Sequence, residues 1–247
     1  MYYNMQVHSA YDLLNSTIKY ESLFLKLAKD NQQSVVIVDP NMYGAIKAHK
    51  QAKKSGISLI QGLEVSLGYG IGLLKFNLLC KTEKMFYKLL EISTKFMNGE
   101  EWTVEDFSND MVDYREDFVL IVVDELRDSM EFSYLKNLLS KYNFYFGFNE
   151  SFQIGLYSDY DNIVYTKPSF YLNKEHYQQV IVSRAIRDNK KLNIQELTTI
   201  SGEDFVREQK DFEEILTPGD EELHIIFEKS FANQKLIIDS CKYELNF

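Results

Sequence analysis

Residues 34–67 switch from one hydrophobic period to another and back, and the switch predicts a strand, a crossover helix and a second strand. Val35, Val36, Ile37 and Val38 form a β-branched run that stops at Asp39 and Pro40, where proline forces a turn. Met42, Ala45, Ile46 and Ala52 then share one helical face, with Lys47, Lys50, Lys53 and Lys54 toward water and Gly56 as C-cap. A second apolar run over 57–67 carries Glu64 toward its carboxyl end. Two strands joined by a helix make a parallel pair, and α/β folds place ligands where such strands end.

The same patterning extends along the chain. Residues 2–8 alternate as a strand, 9–16 are a polar connection, and 20–31 have helical spacing. Gly68, Gly70 and Gly72 mark a turn into a strand over 73–80; with no lysine and no helix start, that turn is a hairpin and not a phosphate loop. Helices follow over 86–96, 132–142 and 173–189, with strands at 118–123, 144–148 and 163–166. That makes about seven strands with helices between them. Residues 190–218 are charged and show little periodicity. A final helix over 220–243 is amphipathic through Ile225, Phe227, Phe231, Leu236 and Ile237. These patterns divide the chain into an α/β body over 1–218 and a helical extension over 219–247 that suggests a domain of a longer chain.

Composition narrows the function classes. With 247 residues, 45% of them hydrophobic, the chain can bury a sizeable core. A net charge of -10 argues against binding a phosphate backbone unaided. Cys80 and Cys241 lie in apolar stretches and look like buried thiols of a reducing cytoplasm. No apolar run approaches the roughly 20 residues of a membrane span, and residues 1–9 lack a leader's basic and apolar regions.

The strand ends supply His8, Asp39, Glu64, Asp124 and Lys167, which together could hold one hard divalent cation such as Mg²⁺, Mn²⁺ or Ca²⁺. Among four histidines, His49, His176 and His224 fall on helices with polar neighbours and are expected at the surface. His8 alone sits at a strand end, where a hydrogen-bonded structural histidine is the plain alternative to a ligand. Glu64 inside an apolar run must be paired, hydrogen-bonded or metal-bound if it is buried. No Ser-His-Asp order, CxxC pair or Walker motif supports nucleophilic or nucleotide chemistry. Aromatic stretches such as 143–152 lack interleaved Arg or Lys and fit core packing better than a base-stacking platform.

Three stretches, VHSAYDLLNS, VIVDPNMYGAIKAHKQAKKSGISLIQGLEV and LLCKTEKMFYKLLEIS, resemble the polymerase-and-histidinol-phosphatase (PHP) domain found at the N-terminus of bacterial DNA polymerase III alpha subunits. The resemblance is strong over 2–96, looser around 165–192, and a matter of pattern over 97–162. It implies a distorted (β/α)7 barrel. Active members hold a metal cluster at the barrel mouth for phosphoester hydrolysis or proofreading. Against that pattern, Asn4 replaces the first histidine while His8 keeps the last, and Asn15 stands at an acidic position. Asp39 is kept but Pro40 replaces its histidine neighbour; Glu64 is kept; Lys75 matches a histidine and Asp124 a cysteine. The family's closing Asn-Asp-x-His becomes Lys167, Pro168, Ser169, Phe170.

Amide, proline and phenylalanine do not ligate hard cations, and Lys75 and Lys167 repel them. The resemblance therefore implies a degenerate site with His8, Asp39, Glu64 and Asp124 as vestigial ligands: no bound cofactor, or at most one Mg²⁺, Mn²⁺ or Zn²⁺. It implies a structural or docking role in a DNA-directed DNA polymerase, a nucleotidyltransferase of DNA replication whose palm aspartates are not within these residues. The partners it implies are the palm and thumb of the alpha chain and a proofreading exonuclease subunit, with DNA reached only through the full polymerase and no membrane. The alternative is a residual metal-dependent phosphoesterase or 3'-5' exonuclease.

Overall fold

The protein is described here by a computed structural model covering residues 2–70, 72–124, 129–149, 158–192, 202–215 and 221–245. Its centre is a six-stranded sheet in which every strand neighbours its successor. The strands are β1 (Ser34–Asp39), β2 (Ser58–Tyr69), β3 (Gly72–Cys80), β4 (Phe118–Val122), β5 (Phe144–Phe148) and β6 (Ile163–Tyr165). β1 and β2 are parallel, β2–β3–β4 are antiparallel, and β4–β5–β6 are parallel again. The hairpin predicted at the glycines pairs Tyr69 with Gly72.

Residues 4–8 are the seventh strand in hydrogen bonding. Val36 N–H bonds Asn4 O at 3.1 Å, Val7 N–H bonds Val36 O at 3.0 Å, and Val38 N–H bonds Val7 O at 2.9 Å. On the other side Ser169 N–H bonds Gln6 O at 2.8 Å and His8 N–H bonds Ser169 O at 2.9 Å. Because residue 169 follows closely after β6, this segment joins the two edges of the sheet and curls it into a distorted α/β barrel. A closed edge offers no unpaired ladder to other chains.

The helices are α1 (Tyr20–Lys29), α2 (Ala45–Ser55), α3 (Glu83–Met97), α4 (Val104–Asp110), α5 (Ser129–Leu139), α6 (Tyr177–Arg187), α7 (Gln209–Ile215) and α8 (Glu221–Ser240). Gly56 ends α2 at φ +67°, the left-handed C-cap position where a side chain is disfavoured. The buried face of α2 is Ala45, Ala48 and Ala52, whereas Ile46 is exposed. Alanines fit because α2 packs closely on α1 and on β2, and a branched side chain would hold them apart. The irregular stretch over 190–218 contains a short helix, α7, which buries Phe212. In α8 the buried apolar residues are Ile226, Phe227, Phe231, Ile237 and Ile238, while Ile225 and Leu236 face water. Two neighbouring isoleucines offered two registers, and docking on β6 selected the later one.

Alternate residues along the strands divide the core. Leu63, Val65, Phe76, Leu78, Leu120 and Phe146 pack with α3, α4, α5 and α8. Val36, Val38, Ile60, Leu79, Val119, Ile121 and Val164 form the other face with Ile237, Ile238 and Cys241 at the end of α8. Cys80 and Cys241 are free and buried, as their surroundings predicted, and burial pushes the Cys241 thiol up to about 11.

His49 is not at the surface. It is half-buried, edge-on to Phe86 at 5.5 Å and 3.3 Å from the Tyr243 hydroxyl, and burial pushes its pKa down to about 4. The unfolded chain, near 6.5, takes up this proton first, so the contribution of neutral His49 is complete above pH 6.5 and falls away toward pH 4. Urea unfolding at pH 7 and pH 5 should show His49→Gln losing less stability than the native chain over that interval. A second expectation concerns Gly62, where an added Cβ would lie 2.6 Å from Val38 and 2.7 Å from Leu79. Gly62→Val should cost about 1–3 kcal/mol through overpacking, lowering Tm by roughly 2–4 °C per kcal/mol in thermal denaturation.

Candidate functional site

The polar cluster forms where β1 ends. Asp39 is the last residue of β1 and is buried; Leu63 is its partner on β2, so Glu64 lies one residue beyond the parallel ladder. Glu64 is therefore inside the long strand β2, and it is the shorter β1 that opens a mouth beside it. The segment after residue 7 leaves the sheet here and delivers His8, Ser9 and Asp12 onto the same spot.

Asp39 is held by its neighbours. Its Oδ1 accepts from Ser9 N–H at 2.6 Å and its Oδ2 accepts from Ser9 Oγ at 2.5 Å, with the Tyr20 hydroxyl 3.4 Å away. Burial raises the Asp39 pKa to about 6 against the opposing pull of Ser9 and His8. Burial and the Asp39 charge likewise raise the Tyr20 phenol.

His8 is buried, with Nδ1 3.2 Å from Asp12 Oδ2 and Nε2 3.7 Å from Glu64 Oε2. The Asp12 contact is electrostatic more than a well-aligned hydrogen bond. Burial alone would lower the imidazole pKa, but Asp12, Glu64 and Asp39 outweigh it and the net shift is upward. The Gln6 amide donates to Glu64 Oε2 at 3.4 Å and lies 3.4 Å from His8 Nε2. Phe170 stacks on the imidazole at 4.6 Å, and the Arg184 guanidinium lies over Phe170 at 4.4 Å.

Most of the other positions singled out from the sequence are engaged. Lys75 Nζ is 3.6 Å from Glu64 Oε1, and Lys75 N–H donates to Asp124 Oδ2 at 2.7 Å, so Asp124 joins the site only through Lys75. Asn4 bonds Gln32 Oε1 at 2.8 Å and Arg207 O at 2.9 Å, and accepts from Arg207 N–H at 3.0 Å. Asn15 donates to Asp12 Oδ2 at 2.6 Å and accepts from Arg184 Nε at 2.9 Å. Lys167 reaches Asp204 at 3.8 Å, Pro40 is exposed, and Pro168 is half-buried. Asp12, Ser9, Tyr20, Gln6 and Arg184 belong to the cluster without having been singled out. The four-residue spacing of His8 and Asp12 was the available signal.

A metal cluster does not fit this donor set. Each Asp39 oxygen is bonded, Asp12 serves His8 and Asn15, and Glu64 faces an ammonium and an imidazole. No group of three or more His, Cys, Asp or Glu side chains among the described residues is arranged to hold an ion. Asn77, cross-strand from Glu64, is the one mouth side chain with neither amide atom partnered among the described residues. One amide and one shared carboxylate fall short of the six or so oxygens a hard cation takes. A cavity of about 540 Å³ lies elsewhere, lined by Lys53, Ile57, Leu59, Tyr243 and Leu245 where β2 begins, and no mouth residue borders it.

Known proteins resemble this chain over different spans. DNA polymerase III subunit alpha of Ureaplasma parvum is 33% identical over 114 residues, covering 45% of this chain and 11% of that protein. The same subunit of Staphylococcus epidermidis is 24% identical over 230 residues, covering 86% of this chain and 21% of that protein. The chain thus spans only a tenth to a fifth of the length of these curated relatives. Among solved structures, a proposed metal-dependent phosphoesterase from Bifidobacterium adolescentis superposes with a TM-score of 0.42 at 10% identity, over 89% of this chain and 96% of that one. The PHP domain is matched by residues 4–185, well over half of the 247, and the chain belongs to the PHP domain family.

Proposed function

We propose that this chain is the N-terminal PHP module of a bacterial DNA polymerase III alpha subunit, acting as a structural and docking piece of the replicase and not as a hydrolase. The observation that carries the proposal is the mouth itself: the side chains that would ligate ions are bonded to one another, to Lys75, and beneath a Phe170–Arg184 stack. Two-metal hydrolysis needs ions roughly 3.5–4 Å apart, each with its own ligand set, and an attacking water between them. Phe170 and Lys75 stand where such a set would need ligands. The polymerase relatives support the assignment to a replicase, and the acidic chain fits a part that meets DNA only through the rest of the enzyme. On this proposal the module packs on the palm and thumb, presents a surface to a proofreading exonuclease, and works in the cytoplasm. Among the described residues no helix is long and apolar enough to cross a membrane.

A second proposal, a residual one-metal phosphoesterase or 3'-5' exonuclease, draws support from His8, Asp39 and Glu64 still converging on one spot. It requires the carboxylates to abandon their present partners.

The two proposals separate in one assay. Purified protein with millimolar Mn²⁺ should release no more phosphate from a phosphomonoester, and no more nucleotide from a mismatched primer, than His8→Ala protein. Turnover that disappears in His8→Ala would sink the structural proposal. Asp39→Ala should lower stability by about 1–3 kcal/mol, because the Ser9 N–H is left buried without its acceptor and Ser9 Oγ keeps only the Tyr20 hydroxyl as acceptor. Chemical denaturation reads that loss directly.

A further inference from the structure

Lys75 sits on β3 opposite Ser66, diagonal to Glu64, at a separation that a long side chain spans. Its ammonium faces Glu64, and its backbone does a second job. Val123 N–H bonds Lys75 O at 3.0 Å, and Asp124 Oδ2 then takes Lys75 N–H, so the Asp124 carboxylate completes the β3–β4 ladder just past its last strand residue. One residue thus engages both outer acids of the mouth.

From Glu64 the contacts continue in alternating charge. Glu64 faces His8, His8 faces Asp12, Asp12 accepts from Asn15, and Asn15 accepts from Arg184 and, at 3.2 Å, from Arg187. The run begins on the hairpin of β2 and β3, crosses the segment 8–16, and ends on α6. These are the pieces that a shared ion would tie together.

We propose, building on the structural assignment above, that the Lys75 ammonium takes the place of a divalent cation at the barrel mouth, and that the network from Lys75 to Arg184 makes the closure of the barrel independent of metal. Glu64 and Asp12 lie within 4 Å of the same imidazole, and Asp39 acts on it as well. Carboxylates gathered this closely repel one another unless a positive charge is set among them. Lys75, half exposed, sets such a charge beside Glu64 at 3.6 Å from within the chain, while the His8 imidazole lies between Glu64 and Asp12. Asn15 at an acidic family position serves the same end, since its amide N–H binds Asp12 where a carboxylate would repel it.

The test is thermal denaturation of the native protein, Lys75→Met and Lys75→Glu, each in EDTA and in millimolar Mn²⁺. The native Tm should be the same in both solutions. In EDTA, Lys75→Met should melt about 2–4 °C lower and Lys75→Glu lower still. Mn²⁺ should return both variants toward the native value by supplying the missing positive charge. Variants as stable as the native protein in EDTA would overturn the stand-in role and leave the structural assignment intact. A loss that Mn²⁺ does not relieve would reduce Lys75 to an ordinary ion-pair partner and overturn it too. A native Tm that rises several degrees with Mn²⁺ would overturn both, because the chain would then hold an ion.

Discussion

Asp39 is 1% exposed at the end of β1, and the rest of the mouth is arranged around the need to keep that carboxylate supplied with donors. A buried carboxylate without partners is costly enough to reshape its surroundings or take up a proton. Ser9 answers with both its N–H and its hydroxyl, which pins the segment after residue 8 across the top of β1. Tyr20 adds its hydroxyl from the first turn of α1, so the helix is seated by the same carboxylate. Once Ser9 is fixed, His8 has one place to go, between Asp12 and Glu64.

Seen from that carboxylate, most of the side chains read from the sequence as departures from the family pattern are tied to neighbours. Asn4 bonds the backbone of Arg207 in both directions and holds the segment preceding α7 against the first strand. Phe170 stacks on His8 and carries Arg184 on its outer face, so an apolar ring covers the imidazole. Lys75 brings positive charge to Glu64, and Asn15 brings an amide to Asp12. Lys75 and Phe170 meet the retained Glu64 and His8, while Asn4 and Asn15 are bonded to Gln32, Arg207, Asp12 and Arg184 around them. Among the described mouth residues, His8 Nδ1 and both amide atoms of Asn77 are the buried polar atoms left without a hydrogen bond.

The barrel was legible in the sequence to the extent that periodicity carries it. β1, α2, the hairpin, α3 and β4–β6 lie within a few residues of where the patterns placed them, because two-sided burial writes continuous apolar runs and Gly56 marks its helix end unambiguously. Helix faces were less legible: Ile46, Ile225 and Leu236 are exposed, since apolar side chains adjacent in sequence allow more than one face and only the docking partner chooses. The segment 190–218 hid α7 because a seven-residue helix is too short to declare a period. At the site, the family resemblance named His8, Asp39 and Glu64, but the bonds that decide their chemistry run to Ser9, Asp12, Tyr20 and Lys75, from three stretches brought together by the fold.

That distribution explains how the fold keeps its shape with an altered mouth. The two faces of the sheet are packed by apolar clusters that do not include the mouth residues, so the barrel's main stabilisation is apolar burial remote from them. The mouth has a narrower task, to hold several acids close together without net repulsion, and an ammonium with amide donors can do that as an ion could. A single reversion toward the family pattern works against this arrangement. An imidazole in place of Asn4, for instance, would forfeit the paired bonds to Arg207 and the bond to Gln32, and would still meet Phe170 and Lys75 where its fellow ligands should be. The network is therefore held in place by its own mutual satisfaction, and the route back to a cluster of several ions needs several residues to change together.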